Sequence, residues 1–279
     1  MRSLPRLPFL APLLALGVAA CEPLSTLPPP SSVIVVVVPG APAVSSARPL
    51  QVAAAEEPPL APVHLWHFDE PSGAAAVDVA GGEVGRLAPE VERVRGCAGG
   101  GVALGGNARS RVDLGTEAGQ FGTRDFTVSL WFRTTTQHSN NELLSNRDNG
   151  SHGNFFNLRF ARGKVVYELD QDTSGTNYVA LESAPGMNDG AWHHVVARRR
   201  GASATLFVDG RRAADGSTGG VTNVDNGRDL EVGSSAVAGE YDLYFHGAVD
   251  EVAIFDRALS DDEASWLATG PAGCRPRAR

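Results

Sequence analysis

No long run of lysines or arginines occurs in the chain, whose formal net charge is −8 over 279 residues. This argues against a partner bound by neutralising a phosphate backbone, which needs clustered cations. No HExxH and no His/Cys spacing of a zinc site is present. The glycines of GCAGGGVALGGN have no phosphate-binding spacing and open no helix. The segment GASAT misses the GxSxG nucleophile elbow. Val33 to Val38, a β-branched run of six residues, is far too short to span a bilayer as a helix; it can pack on a neighbour or be an aggregation-prone spot. Nothing of helical length and period appears before the C-terminal region. The chain is nevertheless 42% hydrophobic, enough for one large domain or two small ones.

The N-terminus, MRSLPRLPFLAPLLALGVAAC, has the shape of a secretory signal. Arg2 and Arg6 form a positive region, and Leu13 to Ala20 an apolar one ending in small residues. Val18 to Cys21 resembles the lipobox of bacterial lipoproteins, in which the cysteine becomes the lipidated N-terminus; the alternative is an ordinary cleaved signal with an incidental cysteine. Glu22 after that cysteine implies, by the same resemblance, the outer membrane. With Cys21 lipidated, Cys97 and Cys274 remain as an even pair in an oxidising compartment. A disulfide between them ties the C-terminus to the start of the domain; two free thiols are the alternative. Residues 22–62 hold ten of the eighteen prolines, which makes them an extended tether. The organisation expected is a signal over 1–20, a lipidated cysteine and Pro-rich disordered tether over 21–62, a folded domain over 63–274 and a disordered tail over 275–279.

From Val63 the pattern changes to short alternating apolar stretches between Gly, Asn and Asp clusters. In DFTVSLWFRT, Phe126, Val128, Leu130 and Phe132 fall on one face and Thr127, Ser129, Trp131 and Arg133 on the other. VHLWHF, RVDL, NELLSN, FFNLRFA, KVVYELD, AWHHVVAR, ATLFVDG, DLEVG and YFHGAVDEVAIF read as further strands, giving a single antiparallel sandwich. The paired histidines of AWHHVVAR alternate: His194 lies with Trp192 and Val196, and His193 with Val195 and Ala197. Adjacent strand residues cannot converge on one metal, so the pair reads as sheet, with RRRGAS as the following turn. One helix is signalled at LSDDEASWLATG, where Ser260 and Glu263 form a capping box and Asp261 and Asp262 favour the N-terminal dipole; it is expected to cover an end or edge of the sandwich.

Four stretches, HLWHFDEPSG, DFTVSLWFRT, DGAWHHVV followed by LFVDGRR, and GAVDEVAIFDRALSDDEASWL, occur in the order seen in bacterial laminin-G-like domains. Over residues 63–270 the chain resembles that family, part of the concanavalin A-like lectin/glucanase superfamily. The resemblance implies an all-β, antiparallel jelly-roll sandwich that binds carbohydrate or glycoconjugate, or a surface protein, in the bacterial cell envelope or as a secreted protein. A protein-binding or structural envelope module without sugar binding is the alternative. It also implies a structural calcium, Ca²⁺, for which Asp78 and Asp250 match family positions; both can equally be turn or surface aspartates.

Relatives that are endo-glucanases carry an ExDxxE strand. Here the corresponding text is EYDLYF, where Glu240 and Asp242 match but Phe245 replaces the second glutamate, so the carboxyl pair of a retaining glycosidase is missing from that strand. The expectation is therefore a non-catalytic chain, with a glycan hydrolase built from distant loops as a minor alternative. Ligand contacts are expected from loop residues His138, Asn140, Asn141, Asp148, His152, Asn177 and Tyr178, each of which can also be a turn-forming polar residue.

Overall fold

The computed structural model describes residues 60–269, apart from 139, 149, 222 and 239–242. The signal, Cys21, the Pro-rich segment with Val33 to Val38, the pair Glu240 and Asp242, Cys274 and the tail lie outside the described residues.

Alternating apolar positions build two antiparallel sheets of eight strands each. The first runs β14 (Arg211–Ser217), β13 (Ser203–Val208), β12 (Trp192–Arg200), β7 (Phe126–Arg133), β16 (His246–Phe255), β5 (Gly100–Gly105) and β4 (Glu92–Arg95). Onto it β1 (His64–Trp66) pairs through β16. The second runs β11 (Val179–Glu182), β10 (Lys164–Gln171), β9 (Asn154–Ala161) and β8 (Asn141–Ser145). It continues through β15 (Glu231–Val232), β6 (Val112–Asp113), β3 (Val84–Leu87) and β2 (Ala75–Val77).

The core lies between the sheets. Phe126, Val128, Leu130 and Phe132 of β7 are buried there against Phe156, Leu158 and Phe160 of β9 and Val165, Tyr167 and Leu169 of β10. These are the positions that period-two alternation assigns to one face. Strand β16 shows how the ends are joined. Asp250 pairs with Trp131 of β7, but the next partners are Ala253 and Ser129, so the strand carries a bulge. Glu251 sits in it at φ 52°, a left-handed conformation that costs energy for a residue with a side chain. Before the bulge β16 pairs with β5, and after it with β1.

The outer face of the first sheet is covered. Helix α1 (Asp261–Thr269) packs Ala264 and Leu267 onto Val196 and Phe207, so it lies on the sheet face rather than at an end or edge. Its capping box is formed: the Glu263 N–H donates to Ser260 Oγ at 3.2 Å, and the Ser260 N–H to Glu263 Oε2 at 2.7 Å. Such a cap contributes about 1 kcal/mol. Arg198, stacked over Phe207 at 4.9 Å, donates to Asp261 Oδ1 and Leu259 O, each at 2.8 Å, and ties the helix to the sheet. The turn expected over RRRGAS is shorter: β12 runs on to Arg200 and β13 begins at Ser203. No helix among the described residues is long and apolar enough to cross a membrane.

Candidate functional site

The outer face of the second sheet is polar, and it is not needed for the core. Since Phe156, Leu158, Phe160, Val165, Tyr167 and Leu169 point inward, alternation turns Phe155, Asn157, Arg159, Val166, Glu168 and Asp170 outward. The register sets Glu142 of β8 beside Arg159 of β9, and Asn157 of β9 beside Glu168 of β10. Val237 and Leu243 lie against this face. The Glu142 N–H donates to Leu243 O at 2.6 Å, and both apolar side chains line a cleft of about 670 Å³.

Glu168 is the hub. Its Oε2 accepts from Arg159 Nε at 2.8 Å and Asn157 Nδ2 at 3.0 Å, and its Oε1 from Tyr178 Oη at 2.5 Å and Arg159 Nη2 at 3.4 Å. Arg147 adds a guanidinium 3.7 Å away and lies 4.5 Å over the Phe155 ring. Burial pushes the Glu168 carboxyl up, but the charge and hydrogen bonds of Arg159, with Tyr178 and Arg147, outweigh it and hold the group below its ordinary value. Glu142 is the opposite case. It is 0% exposed and neither carboxylate oxygen has a well-formed hydrogen bond; the Asn157 amide near it is spent on Glu168. Burial, with the Glu168 charge adding to it, pushes Glu142 up to about 8 against the pull of Arg147 and Arg159. At neutral pH, therefore, Glu168 is ionised and Glu142 beside it is neutral.

Of the seven loop residues expected to touch ligand, three gather on this face. Asn140 Oδ1 accepts from Arg159 Nη1 at 3.0 Å and lines the cleft. Tyr178 is bonded to Glu168, and His152 Nδ1 lies 2.6 Å from Asp170 Oδ2, with its ring edge-on to Tyr178 at 5.2 Å. Asn141 is buried, and its Nδ2 donates to Tyr244 O at 2.8 Å. Asp148 is half-buried in the loop after β8. Asn177 packs beside Gly219 and Gly220, and His138 is exposed, its carbonyl accepting the Arg162 N–H at 3.2 Å.

Glu142, Asn157, Arg159 and Glu168 lie on strands and escape a reading that looks for site residues in loops, while Arg147 lies in the loop after β8. Asn157, Arg159 and Glu168 do carry a signal, being polar at every second position inside FFNLRFA and KVVYELD.

The adjacent histidines part as alternation requires. His194 is buried with Nε2 2.8 Å from Ser129 Oγ, and burial lowers its pKa to about 3. His193 meets Asp209 at 2.9 Å and Asp189 at 3.1 Å.

Asp78 and Asp250 enter separate networks. Asp78 Oδ1 accepts the N–H groups of Leu65, Ala80 and Gly81, and its Oδ2 meets His64 Nδ1 at 2.6 Å. Asp250 fills the β16 bulge and accepts the N–H groups of Ala98 and Glu251 at 2.9 and 2.7 Å; burial raises its pKa to about 7. Asp78 thus accepts from three backbone donors and meets His64, while Asp250 accepts from two backbone donors. Among the described residues no group of three or more His, Cys, Asp and Glu side chains could hold a metal. Cys97 is buried.

A laminin-G family model, described as the concanavalin A-like lectin/glucanases superfamily, matches residues 105–265. The chain belongs to that superfamily. Several solved structures share the concanavalin A-like fold. The binding domain of Paraclostridial Mosquitocidal Protein 1 is 17% identical with a TM-score of 0.61, covering 74% of this chain and 51% of that one. Domain 4 of AbnA, a GH43 extracellular arabinanase from Geobacillus stearothermophilus solved with arabinotriose, is 16% identical with a TM-score of 0.61, covering 74% and 98%. The botulinum neurotoxin serotype D binding domain is 13% identical with a TM-score of 0.59, covering 75% and 51%. This concanavalin A-like chain thus spans about half the length of the two toxin domains. No curated protein matches it.

Proposed function

We propose that the chain is a binding module that recognises carbohydrate through the cleft on the outer face of the second sheet. The observation that carries this reading is the Glu168 hub. Two guanidiniums, an amide and a phenol are held in fixed positions beside an open cleft, on a face whose polarity the core does not require. Such convergent polar groups orient a ligand. Family membership is consistent with this reading, and so is the arabinotriose complex of the AbnA domain. A glycan array probed with the full mature chain tests it. Retention on at least one glycan is expected, reduced 10-fold or more by Asn140→Ala or Arg159→Gln. Retention on no glycan, with a specific protein co-purifying instead, would establish the alternative of a protein-binding or structural envelope module.

A second reading, a glycan hydrolase, draws on the neutral Glu142 and ionised Glu168 sharing one face, since an acid and a base held apart in pKa are what such chemistry needs. The non-catalytic reading is preferred because both Glu168 oxygens already accept two hydrogen bonds each. Release of reducing ends from a polysaccharide panel, abolished by Glu142→Gln, would reverse that preference.

The module is read as displayed at the bacterial surface, lipidated at Cys21 and closed by a Cys97–Cys274 disulfide. Non-reducing peptide mapping of membrane-fraction protein is expected to find an acylated Cys21 N-terminus and the linked cysteine peptides. A soluble mature form, or two cysteines alkylated without reductant, would refute the corresponding claim.

A further inference from the structure

We propose that this cleft selects acidic glycans, those that carry carboxylates in the manner of uronic acids. The inference rests on the carbohydrate-binding reading and adds the chemical class of the ligand. Its ground is the cleft's charge. Among the described residues, Arg147, Arg159, Arg162 and Lys164 line it, with the carboxylates Glu168 and Glu182. The rest of the molecule runs the other way, since the chain as a whole carries −8. A local excess of cations in an acidic protein draws anions to that place and not to the surface at large.

The cations are arranged for use. Arg147 and Arg159 converge on the Glu168 carboxylate, at 3.7 and 2.8 Å. Lys164 meets Glu182 at 2.7 Å, a pair open enough to solvent to be exchanged for a ligand at small cost. Arg162 stands exposed at the turn between β9 and β10, with no ion-pair partner among the described residues. Its backbone is fixed at φ 52°, and its N–H donates to His138 O, so the side chain projects from an ordered turn. Glu142, behind the cleft without a hydrogen bond to either carboxylate oxygen, is held neutral and adds no third negative charge.

The guanidiniums suit such a ligand, since their planar forks match a carboxylate with two parallel hydrogen bonds.

The test uses the full mature chain and measures binding to polygalacturonate, alginate and hyaluronate. The controls are fully methyl-esterified polygalacturonate, which keeps the backbone and removes the charge, and dextran sulfate. At least one uronate is expected to bind 10-fold or more tighter than the methyl ester. That binding should weaken about 10-fold between low and high salt. The double variant Arg162→Gln/Lys164→Gln is expected to lose 5-fold or more while keeping the wild-type melting temperature. Equal binding of charged and esterified polymer would overturn the acidic preference and leave the carbohydrate reading standing. Equal or tighter binding of dextran sulfate would overturn the choice of carboxylate, and uronate binding unaffected by the double variant would overturn this cleft as the site. Binding to no glycan on any arm would instead remove the carbohydrate reading itself.

Discussion

Replacing Arg199 by methionine is expected to destabilise the domain by roughly 3–5 kcal/mol and to lower its melting midpoint by about 10 °C. Arg199 is 0% exposed, on the inward face of β12. Its guanidinium donates from Nε to Arg124 O at 2.8 Å and from Nη2 to Gly122 O at 2.8 Å, and it lies 4.8 Å over the Phe126 ring. One side chain thus satisfies carbonyls of the segment that leads into β7. Methionine fills the volume but removes both donors, leaving Gly122 O with only the Val224 N–H at 3.3 Å, and each lost bond costs about 1–3 kcal/mol. Lysine is expected to recover less than half of the loss, because a single ammonium cannot reproduce the planar fork. Urea denaturation of the two variants checks this; a methionine variant within 1 kcal/mol of wild type would show that the carbonyls find water instead.

Glu142→Gln is expected to stabilise the protein, and by an amount that grows with pH. Burial raises the folded-state pKa of Glu142 from 4.5 to about 8. Between those values the folded chain keeps a proton that the unfolded chain has released. Stability contributed by this group is therefore full below pH 4.5 and declines as pH rises to 8. Glutamine has the same shape and never ionises. The two proteins should be equally stable near pH 4, diverge by about 1.4 kcal/mol per pH unit, and differ by on the order of 4 kcal/mol at pH 9. Denaturant midpoints at pH 4, 7 and 9 measure it. Curves that stay parallel across that range would mean that Glu142 ionises in the folded protein without penalty.

Much of the fold was legible because a strand's side chains alternate strictly. DFTVSLWFRT shows which four residues enter the core, and AWHHVVAR separates its two histidines, because both follow from backbone geometry alone. The capping box was legible for a similar reason, since Ser260 and Glu263 meet within one helical turn. The short strands β2, β3, β4, β5, β11 and β14 were not, because segments such as GGVALG or RRAADGS have no alternation to read. Their pairing comes from the neighbouring strand. Arg199 misled for a different reason: RRR next to Gly reads as a solvated turn, yet its middle residue points inward.

The site divides along the same line. Asn140, His152 and Tyr178 could be named as polar residues able to meet a ligand, but nothing local brings them to Glu168. The superfamily, the two-sheet sandwich and the inward face of each strong strand were determined by residue order, since periodicity and turn chemistry act over a few residues. Only the tertiary structure decided that Glu142 and Glu168 share a face, one neutral and one charged, and that Asp78 and Asp250 accept from different sets of backbone N–H groups. Those outcomes depend on strand register and on what covers each sheet, and burial sets the electrostatics through contacts between residues far apart in the chain.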